Sequence, residues 1–217
     1  MRNVPYYPVV GNHEVSSQPL SDMFEFPDNK SYYSFNWGPV HFIVLNSCGF
    51  EALIERRKHP ETQWATFLAD FDDKVEKPFF GKQLEWFESD LELHKDYPFI
   101  FVAFHFPVFN TLKRNVDHAQ IIRDDWVPLI EQYKISAVFN GHNHHYHHAI
   151  KNGIHYIITA GAGAGLHKRE TPKFAEEVKY VLNNHFVLVN VSADSCKFEV
   201  INFENMVIDS FLIEKRK

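Results

Sequence analysis

The chain has 217 residues, a length that suits one large domain or two small ones. Hydrophobic residues make up 45% of it and 21 residues are Phe, which excludes a disordered chain and a small disulfide scaffold. The net charge of −6 argues against general nucleic-acid binding, because an acidic surface repels phosphate backbones. No apolar run approaches the roughly 18–20 residues of a membrane span. One count stands out: there are 14 His, and six of them lie between His142 and His155.

The N-terminus and the two cysteines indicate little about function. Residues 1–5 show no charged region followed by a long apolar core, so we expect no signal peptide. Cys48 and Cys196 are far apart in the sequence, and two ordinary buried thiols are expected rather than a disulfide framework.

Short apolar runs, rich in β-branched and aromatic residues, recur along the first three quarters of the chain. Each is about 5–6 residues long and ends in polar or glycine-containing sequence, which favours buried strands over helices. The runs cover Tyr6–Val10, Tyr32–Phe35, Val40–Leu45, Phe99–Phe104, Ile135–Phe139 and Ile154–Thr159. The second and third flank the residues Asn36-Trp37-Gly38-Pro39, a pattern typical of a hairpin.

Two stretches between these runs have helical spacing. In 83–93, Leu84, Phe87 and Leu91 fall on one face. The second stretch, 118–133, contains Pro128, which predicts a kink or an interruption. Residues 50–80 are polar and lack a clear period, so they predict an excursion with some helix, either a plain surface insertion or a lid over a cleft.

The sequence pattern differs in the last part of the chain. Residues 186–191, 197–203 and 207–213 read as three strands joined by short polar turns, which predicts an antiparallel meander. No Pro- or Gly-rich linker separates it from the preceding part, so one mixed α/β domain is expected.

Three predicted strands end in loops that carry possible metal ligands, and ligands bind at the carboxyl ends of strands in open α/β sheets. In the first loop, Gly11 allows a tight turn, Asn12 offers a hard carbonyl oxygen, and His13 can donate a proton or pair with an anion. The second loop begins with His105, which taken alone would fit a buried core histidine better than a ligand.

The third loop, Gly141-His142-Asn143-His144, is the strongest signal, because histidines two residues apart on extended backbone point to the same side. The histidines beyond this pair are too many to be ligands themselves and would support the ligands, face the substrate or be exposed; they are His145, His147, His148 and His155. His118, Tyr146 and His147 suit either the substrate side or the surface.

The order of these loops resembles the later half of the signature of the calcineurin-like metallophosphoesterases, including the purple-acid-phosphatase-like members. The resemblance runs from about Tyr6 to the end of the chain, and 83–86 and the C-terminal meander are also typical of that family. It implies an α/β fold, an incomplete αββα sandwich of two mixed β-sheets flanked by helices with a C-terminal antiparallel meander.

The resemblance also implies a hydrolase of phosphoesters with two metal ions, which would be Zn, Fe or Mn given mixed nitrogen and oxygen ligands. By position, Asn12, His105 and His142 resemble ligands of the second metal and His144 a ligand of the first. His13 resembles the residue that binds phosphate and assists proton transfer to the leaving group.

Two earlier motifs of the family signature, Asp-x-His and Gly-Asp, cannot be placed in this sequence. We therefore expect residues 1–217 to form a single domain, truncated at its N-terminus relative to the family, with half of the dinuclear site and impaired hydrolysis. The strands ending at Val10 and Phe104 would lack a neighbour, and an exposed sheet edge would invite association.

Two alternatives stay open at this point. The chain could be a non-catalytic remnant of the same fold that binds a metal or a partner. It could also be an unrelated α/β protein whose histidine-rich loop binds metal fortuitously.

Overall fold

A computed structural model describes residues 4–15, 24–48, 81–114 and 116–217 of the chain. The excursion at 50–80, with its possible lid, lies outside these residues. Ten strands are found in the described ranges. They are β1 (Tyr33–Trp37), β2 (Val40–Val44), β3 (Phe99–Phe104), β4 (Ala137–Asn140), β5 (Tyr146–Lys151), β6 (Ile154–Thr159), β7 (Glu177–Val181), β8 (His185–Val191), β9 (Ser195–Asn202) and β10 (Val207–Glu214).

Helices are few and mostly short in the described residues. They are α1 (Asn12–Val15), α2 (81–94), α3 (Val116–Asp125), α4 (Val127–Gln132) and one 3-10 turn (Pro27–Asn29). The break between α3 and α4 confirms the interruption predicted from Pro128, which occupies the first turn of α4, where its missing N–H is not needed. The helix predicted over 83–93 is likewise confirmed by α2.

The larger sheet has seven strands in the order β1-β2-β3-β4-β6-β5-β7. Strands β2, β3, β4 and β6 run parallel, while β1, β5 and β7 pair antiparallel with their neighbours. The three parallel strand ends at β2, β3 and β4 point to the same edge, and the loops that follow β3 and β4 carry His105 and His142. The topology therefore brings two of the predicted loops together.

Two apolar cores lie on opposite faces of the larger sheet. One core packs the sheet against the helices through Phe87, Leu91, Trp126 and Ile130. The other packs it against a three-stranded antiparallel sheet of order β10-β9-β8, in which Phe198 is fully buried. These layers confirm the predicted fold class and the predicted C-terminal meander, with the detail that the smaller sheet is wholly antiparallel.

The strand predicted over Tyr6–Val10 is wrong, because residues 5–11 form no strand. Pro5 and Pro8 remove two N–H donors from a segment of seven residues, which weakens any ladder there. The segment is held instead by side chains: Tyr7 stacks on Phe35 with ring centroids 3.7 Å apart, and the Tyr33 hydroxyl donates to the Pro8 carbonyl oxygen over 2.8 Å.

The expectation that the strand ending at Phe104 lacks a neighbour is also wrong. Strand β3 pairs with β2 on one side and β4 on the other. An apolar groove of about 430 Å³ lies on the face of the larger sheet, beside β1. Its walls include Tyr7, Phe35, Trp37, Phe101 and Phe139. The predicted association through an exposed sheet edge stays a prediction, and sedimentation of the purified chain would test it.

Cys48 and Cys196 are both buried thiols, as expected, and burial raises the pKa of Cys196 to about 11. Among the described residues, no helix is long and apolar enough to cross a membrane.

Candidate metal centre and cleft

Three possible ligand atoms converge at the edge of the larger sheet. Asn12 Oδ1 lies 2.7 Å from His105 Nε2, which lies 3.1 Å from His142 Nδ1, and the remaining side of the triangle is 3.3 Å. Ligands about 2.1 Å from one ion are separated by roughly 3.0–3.4 Å. Two of the three distances match this separation and the third, 2.7 Å, is that of a hydrogen bond, so side chains separated by up to 130 positions in the sequence meet at one point of the cleft.

Two glycines allow these side chains to approach one another. A Cβ atom on Gly11 would lie 3.0 Å from the His105 ring and 2.6 Å from Glu14 Oε2. A Cβ atom on Gly141 would lie 3.2 Å from His105 Nδ1. Gly11 also begins a turn, in which Glu14 N donates to the Gly11 carbonyl oxygen over 3.2 Å, and both glycines make room for the imidazole of His105.

The backbone at His142 turns sharply to aim its ring at Asn12 and His105. Its φ angle is 62°, in the left-handed region that few residues other than glycine adopt. Backbone hydrogen bonds on either side hold the turn, from Gly141 N to the His105 carbonyl oxygen over 2.9 Å and from Asn143 N to the Gly141 carbonyl oxygen over 2.7 Å. Such conformations cluster at functional sites.

His144 lies in the same cleft but outside the triangle of ligand atoms. Its Nδ1–H donates to the Gly165 carbonyl oxygen over 2.8 Å, which leaves Nε2 with the free lone pair. Fixing the tautomer through the other ring nitrogen is the usual arrangement for a metal-binding histidine. The ring stacks on His167 with centroids 4.0 Å apart.

The cleft has a volume of about 380 Å³, and its walls in the described part of the chain carry no carboxylate. They are formed by Asn12, His13, His105, Arg114, His142, His144 and His167. His13 is exposed on the short helix α1, and the Arg114 guanidinium lies 3.3 Å from a His167 ring nitrogen. The imidazoles and the guanidinium of these walls favour an anionic ligand, and the Glu14 carboxylate behind Gly11 is bonded to the Gly11 N–H over 2.7 Å.

His145 supports the cleft from behind, completely buried. The Thr111 hydroxyl accepts from Asn143 Nδ2 over 2.8 Å and so donates to His145 Nε2, also over 2.8 Å. His145 Nδ1–H in turn donates to the His167 carbonyl oxygen over 2.8 Å. Burial is the main cause that lowers the pKa of His145 to about 4, which keeps the ring neutral for this network.

The residues Arg114, His167, Thr111 and Asn143 were not singled out by sequence reasoning. Asn143 lies inside the Gly-His-Asn-His string and could have been noticed from its position between two candidate ligands. Arg114 and His167 belong to loops without a recognisable pattern, so only the fold brings them into the cleft.

The structure corrects both interpretations offered for Tyr146 and His147, because neither residue faces the cleft and neither is exposed. Tyr146 is completely buried, and its hydroxyl donates to Asp209 Oδ2 over 2.7 Å between the two sheets. His147 is also completely buried, with Nε2 at 3.2 Å from Glu177 Oε2. The side chain of His118 lies outside the described residues.

His148 and His155 are also remote from the cleft. His148 Nε2 lies 2.9 Å from His155 Nδ1, and His148 Nδ1 lies 3.3 Å from Asp209 Oδ2. Both rings pack against Phe211 of the smaller sheet. They belong to the packing between the sheets.

Comparison with known proteins agrees with the class that the fold and the cleft define. The family model described as calcineurin-like phosphoesterase matches residues 1–146, about two thirds of the chain. The chain therefore belongs to the calcineurin-like phosphoesterase family. Membership in this family, with purple acid phosphatases among the relatives, supports a metal-dependent phosphoesterase fold.

Among curated proteins, the chain is similar to purple acid phosphatase 13 of Arabidopsis thaliana, with 29% identity over 187 residues, which cover 75% of this chain and 30% of that protein. It is also similar to human tartrate-resistant acid phosphatase type 5, with 25% identity over 194 residues, which cover 79% of this chain and 54% of that protein. The chain thus spans about a third or less of the plant relatives and about half of the mammalian one.

Solved structures show the same fold. The purple acid phosphatase PPD1 from yellow lupin matches with a TM-score of 0.66 at 18% identity, over 88% of this chain and 34% of that chain. GAP50, described as the anchor in the inner membrane complex of Plasmodium, matches with a TM-score of 0.63 at 13% identity, over 87% of this chain and 56% of that chain. At these identities the likeness concerns the fold alone.

Proposed function

We propose that the cleft binds one metal ion through Asn12, His105 and His142 and catalyses slow hydrolysis of phosphoesters. The observation that carries the proposal is the triangle of Asn12 Oδ1, His105 Nε2 and His142 Nδ1, whose sides of 2.7–3.3 Å are close to those of ligands around a common ion. One carbonyl oxygen and two imidazoles suit Zn, Fe or Mn.

A bound metal would supply Lewis acidity and an activated water to the phosphoester. The surrounding side chains hold and protonate the substrate. His144 keeps Nε2 available toward the cleft because its Nδ1–H is committed to Gly165. His13, exposed at the rim of the cleft, would contact the phosphoryl group and donate a proton to the leaving oxygen.

The proposal limits the centre to one tightly bound ion. Two cations 3.5–4 Å apart repel strongly, and dinuclear sites offset this repulsion with bridging anionic ligands. The cleft walls in the described ranges offer a neutral amide, imidazoles and the positively charged Arg114 instead. His144 alone would hold a second ion weakly, since a catalytic metal usually takes about three protein ligands.

Arg114 gives the cleft its permanent positive charge and is the proposed contact of the phosphoryl oxygens. Its guanidinium lies against the His167 ring, and Asn110 fixes the loop by donating from Nδ2 to the Arg114 carbonyl oxygen over 2.6 Å. Burial together with the nearby His144 and Arg114 lowers the pKa of His167, so the ring is neutral near pH 7 and does not compete with Arg114 for the anion.

Metal analysis combined with hydrolysis of an aryl phosphate tests the proposal. A variant that carries both His105→Ala and His142→Ala should contain about one metal equivalent less than the parent and should lose its metal-dependent turnover. Arg114→Ala should keep the metal and bind inorganic phosphate roughly 10–100-fold more weakly, as expected for a lost charge-assisted hydrogen bond. Lys113→Ala, an exposed neighbour on the same loop, is the matched control.

Two results would contradict the proposal. The first is a double variant with the metal content of the parent. The second is a parent chain that holds two metals in the cleft with turnover as fast as typical enzymes, about 10 per second. Metal binding without any hydrolysis would favour the second candidate function, a non-catalytic metal-binding member of the fold. The relatives supply the choice of an aryl phosphate as probe, because those matched over most of the chain are named acid phosphatases.

A further inference from the structure

A second group of metal-binding side chains lies away from the cleft, where β2 meets α2. His41, Asp90 and His94 each offer one possible ligand atom, and these atoms all lie within 4.8 Å of one another. His41 Nε2 is 2.8 Å from Asp90 Oδ2, and the rings of His41 and His94 stack with centroids 3.8 Å apart. Asp90 and His94 are four residues apart and so share one face of α2.

This group is distinct from the cleft. His41 is in register with Ile100 near the start of β3, whereas His105 follows the end of that strand. Five residues of extended chain separate Ile100 from His105, a distance of roughly 16 Å along the strand. No side chain of the cleft belongs to the second group.

Each of the three side chains has an outer hydrogen bond that orients it. His41 Nδ1 lies 2.7 Å from Asn36 Oδ1, and His94 Nδ1–H donates to the Asp90 carbonyl oxygen over 2.8 Å. The Ser34 hydroxyl donates to Asp90 Oδ1 over 2.8 Å. Metal-binding histidines and carboxylates are usually held by such outer partners, and His41 and Asp90 are oriented in this way. The His94 ring stacks parallel to that of His41, so His94 must turn its ring to direct Nε2 at an ion shared with His41.

Burial and charge also favour a cation here. His41 is completely buried and Asp90 is 9% exposed, and a carboxylate that is removed from water needs a positive partner. In the described ranges, the titratable groups within ion-pair distance of Asp90 are the two histidines themselves, and no Lys or Arg lies that close to it. The His94 side chain is 18% exposed, which opens a path from solvent to the group.

We propose that His41, Asp90 and His94 bind a divalent transition-metal ion and that Zn²⁺ fits the group best. Two imidazoles and one carboxylate are a common zinc ligand set, in which a water takes the fourth position. The ion joins the β1–β2 hairpin to α2 and therefore acts on stability rather than on hydrolysis.

Zinc binding in a chain whose cleft has been disabled tests the proposal. The His105→Ala/His142→Ala double variant is equilibrated with Zn²⁺ and its metal content is measured, together with its melting temperature with and without zinc. We expect about one equivalent of zinc and a higher melting temperature in its presence. Adding His94→Ala or Asp90→Asn should weaken zinc binding at least tenfold, while Glu88→Gln, an exposed control on the same helix, should leave it unchanged.

The outcome separates this site from the cleft. Loss of all zinc in the double variant would overturn the second site, and so would zinc binding of parental affinity after either His94→Ala or Asp90→Asn. His94 is partly exposed, so His94→Ala is expected to fold even where Asp90→Asn does not. The same two substitutions in the otherwise unchanged chain lower its zinc content by one equivalent, which keeps the test independent of the cleft variants. Failure of the proposed hydrolysis would leave this result unaffected.

Discussion

The two halves of the histidine run, 142–144 and 145–148, place the same side chain in opposite environments. His142 and His144 follow the end of β4 and line an open cleft, with ring nitrogens directed at other possible ligands or fixed by a backbone carbonyl. His145, His147 and His148 are buried almost completely and make hydrogen bonds inside the protein. A histidine-rich string is therefore not one functional unit. His142 and His144 line the cleft, whereas His145, at the end of the loop, and His147 and His148 on β5 are turned into the protein.

The largest expected difference concerns metal binding. His142→Ala should lower the affinity of the cleft for metal at least about 100-fold, or about 2.7 kcal/mol, because it removes one of three converging ligands. His148→Ala lies six residues away on β5 and should leave the metal content unchanged, although it destabilises the fold. Metal content after dialysis, with circular dichroism as a check on folding, measures both. Equal metal loss in the two variants would break the distinction between the two halves.

The sequence predicted the residues that line the cleft and missed the strand β5 with its buried histidines. His105 and His142 were found because each follows an apolar run, and the parallel strands β3 and β4 align the loops that follow them at one edge. Asn12 also follows an apolar run, although that run forms no strand. Strand β5 was missed because histidine is not a typical strand residue. Its burial depends on Asp209 and Glu177, which come from β10 and β7 and are 30 or more positions away.

In other parts of the molecule, too, the sequence predicted what depends on local pattern and missed what depends on distant contacts. The helix α2 and the meander could be predicted, since their apolar periods are local. The segment from Tyr6 to Val10 was read as a strand from its apolar residues, and the two prolines and aromatic stacking decided otherwise. Arg114 and His167 meet in the cleft through loops whose positions depend on buried side-chain hydrogen bonds, and no local pattern records these.

The next largest effect is on stability in acid. Burial lowers the pKa of His145, His147 and His155 to about 4, from an ordinary value of 6.5. Unfolded chains bind these protons below pH 6.5 and the folded chain does not until about pH 4. The contribution of these histidines to the unfolding free energy is therefore fully present above pH 6.5 and is lost as the pH falls from 6.5 to 4.

Denaturant unfolding at pH 7.5 and pH 4.5 measures this loss. His147→Leu should reduce the difference in unfolding free energy between the two pH values by on the order of 2 kcal/mol, because one titrating group has been removed. The comparison of each protein with itself at two pH values removes the effect of the altered packing. A parent whose unfolding free energy does not change between these pH values would show that the strand histidines are not held neutral by burial.

The smallest expected effect concerns the hydrogen bond that joins the packing half to the smaller sheet. Tyr146→Phe removes the hydroxyl that donates to Asp209 Oδ2 and keeps the ring, so it should lower the unfolding free energy by about 1–2 kcal/mol. Tyr180→Phe is a related control, because the Tyr180 hydroxyl accepts from the Arg169 backbone N–H over 3.0 Å at a half-buried position of the same sheet. Its loss should cost less than the loss of the buried donor.

Urea unfolding of both variants, with metal content as a second readout, tests this expectation. Asp209 keeps His148 as a neighbour after Tyr146→Phe, at 3.3 Å, so the carboxylate is not left alone between the sheets. Metal content should stay at the parental value, because the Tyr146 hydroxyl is bonded to Asp209 between the sheets and Tyr146 does not line the cleft, as His144 does. A variant that kept its stability and lost its metal would place Tyr146 with the binding half of the histidine run, and the boundary would then lie after position 146.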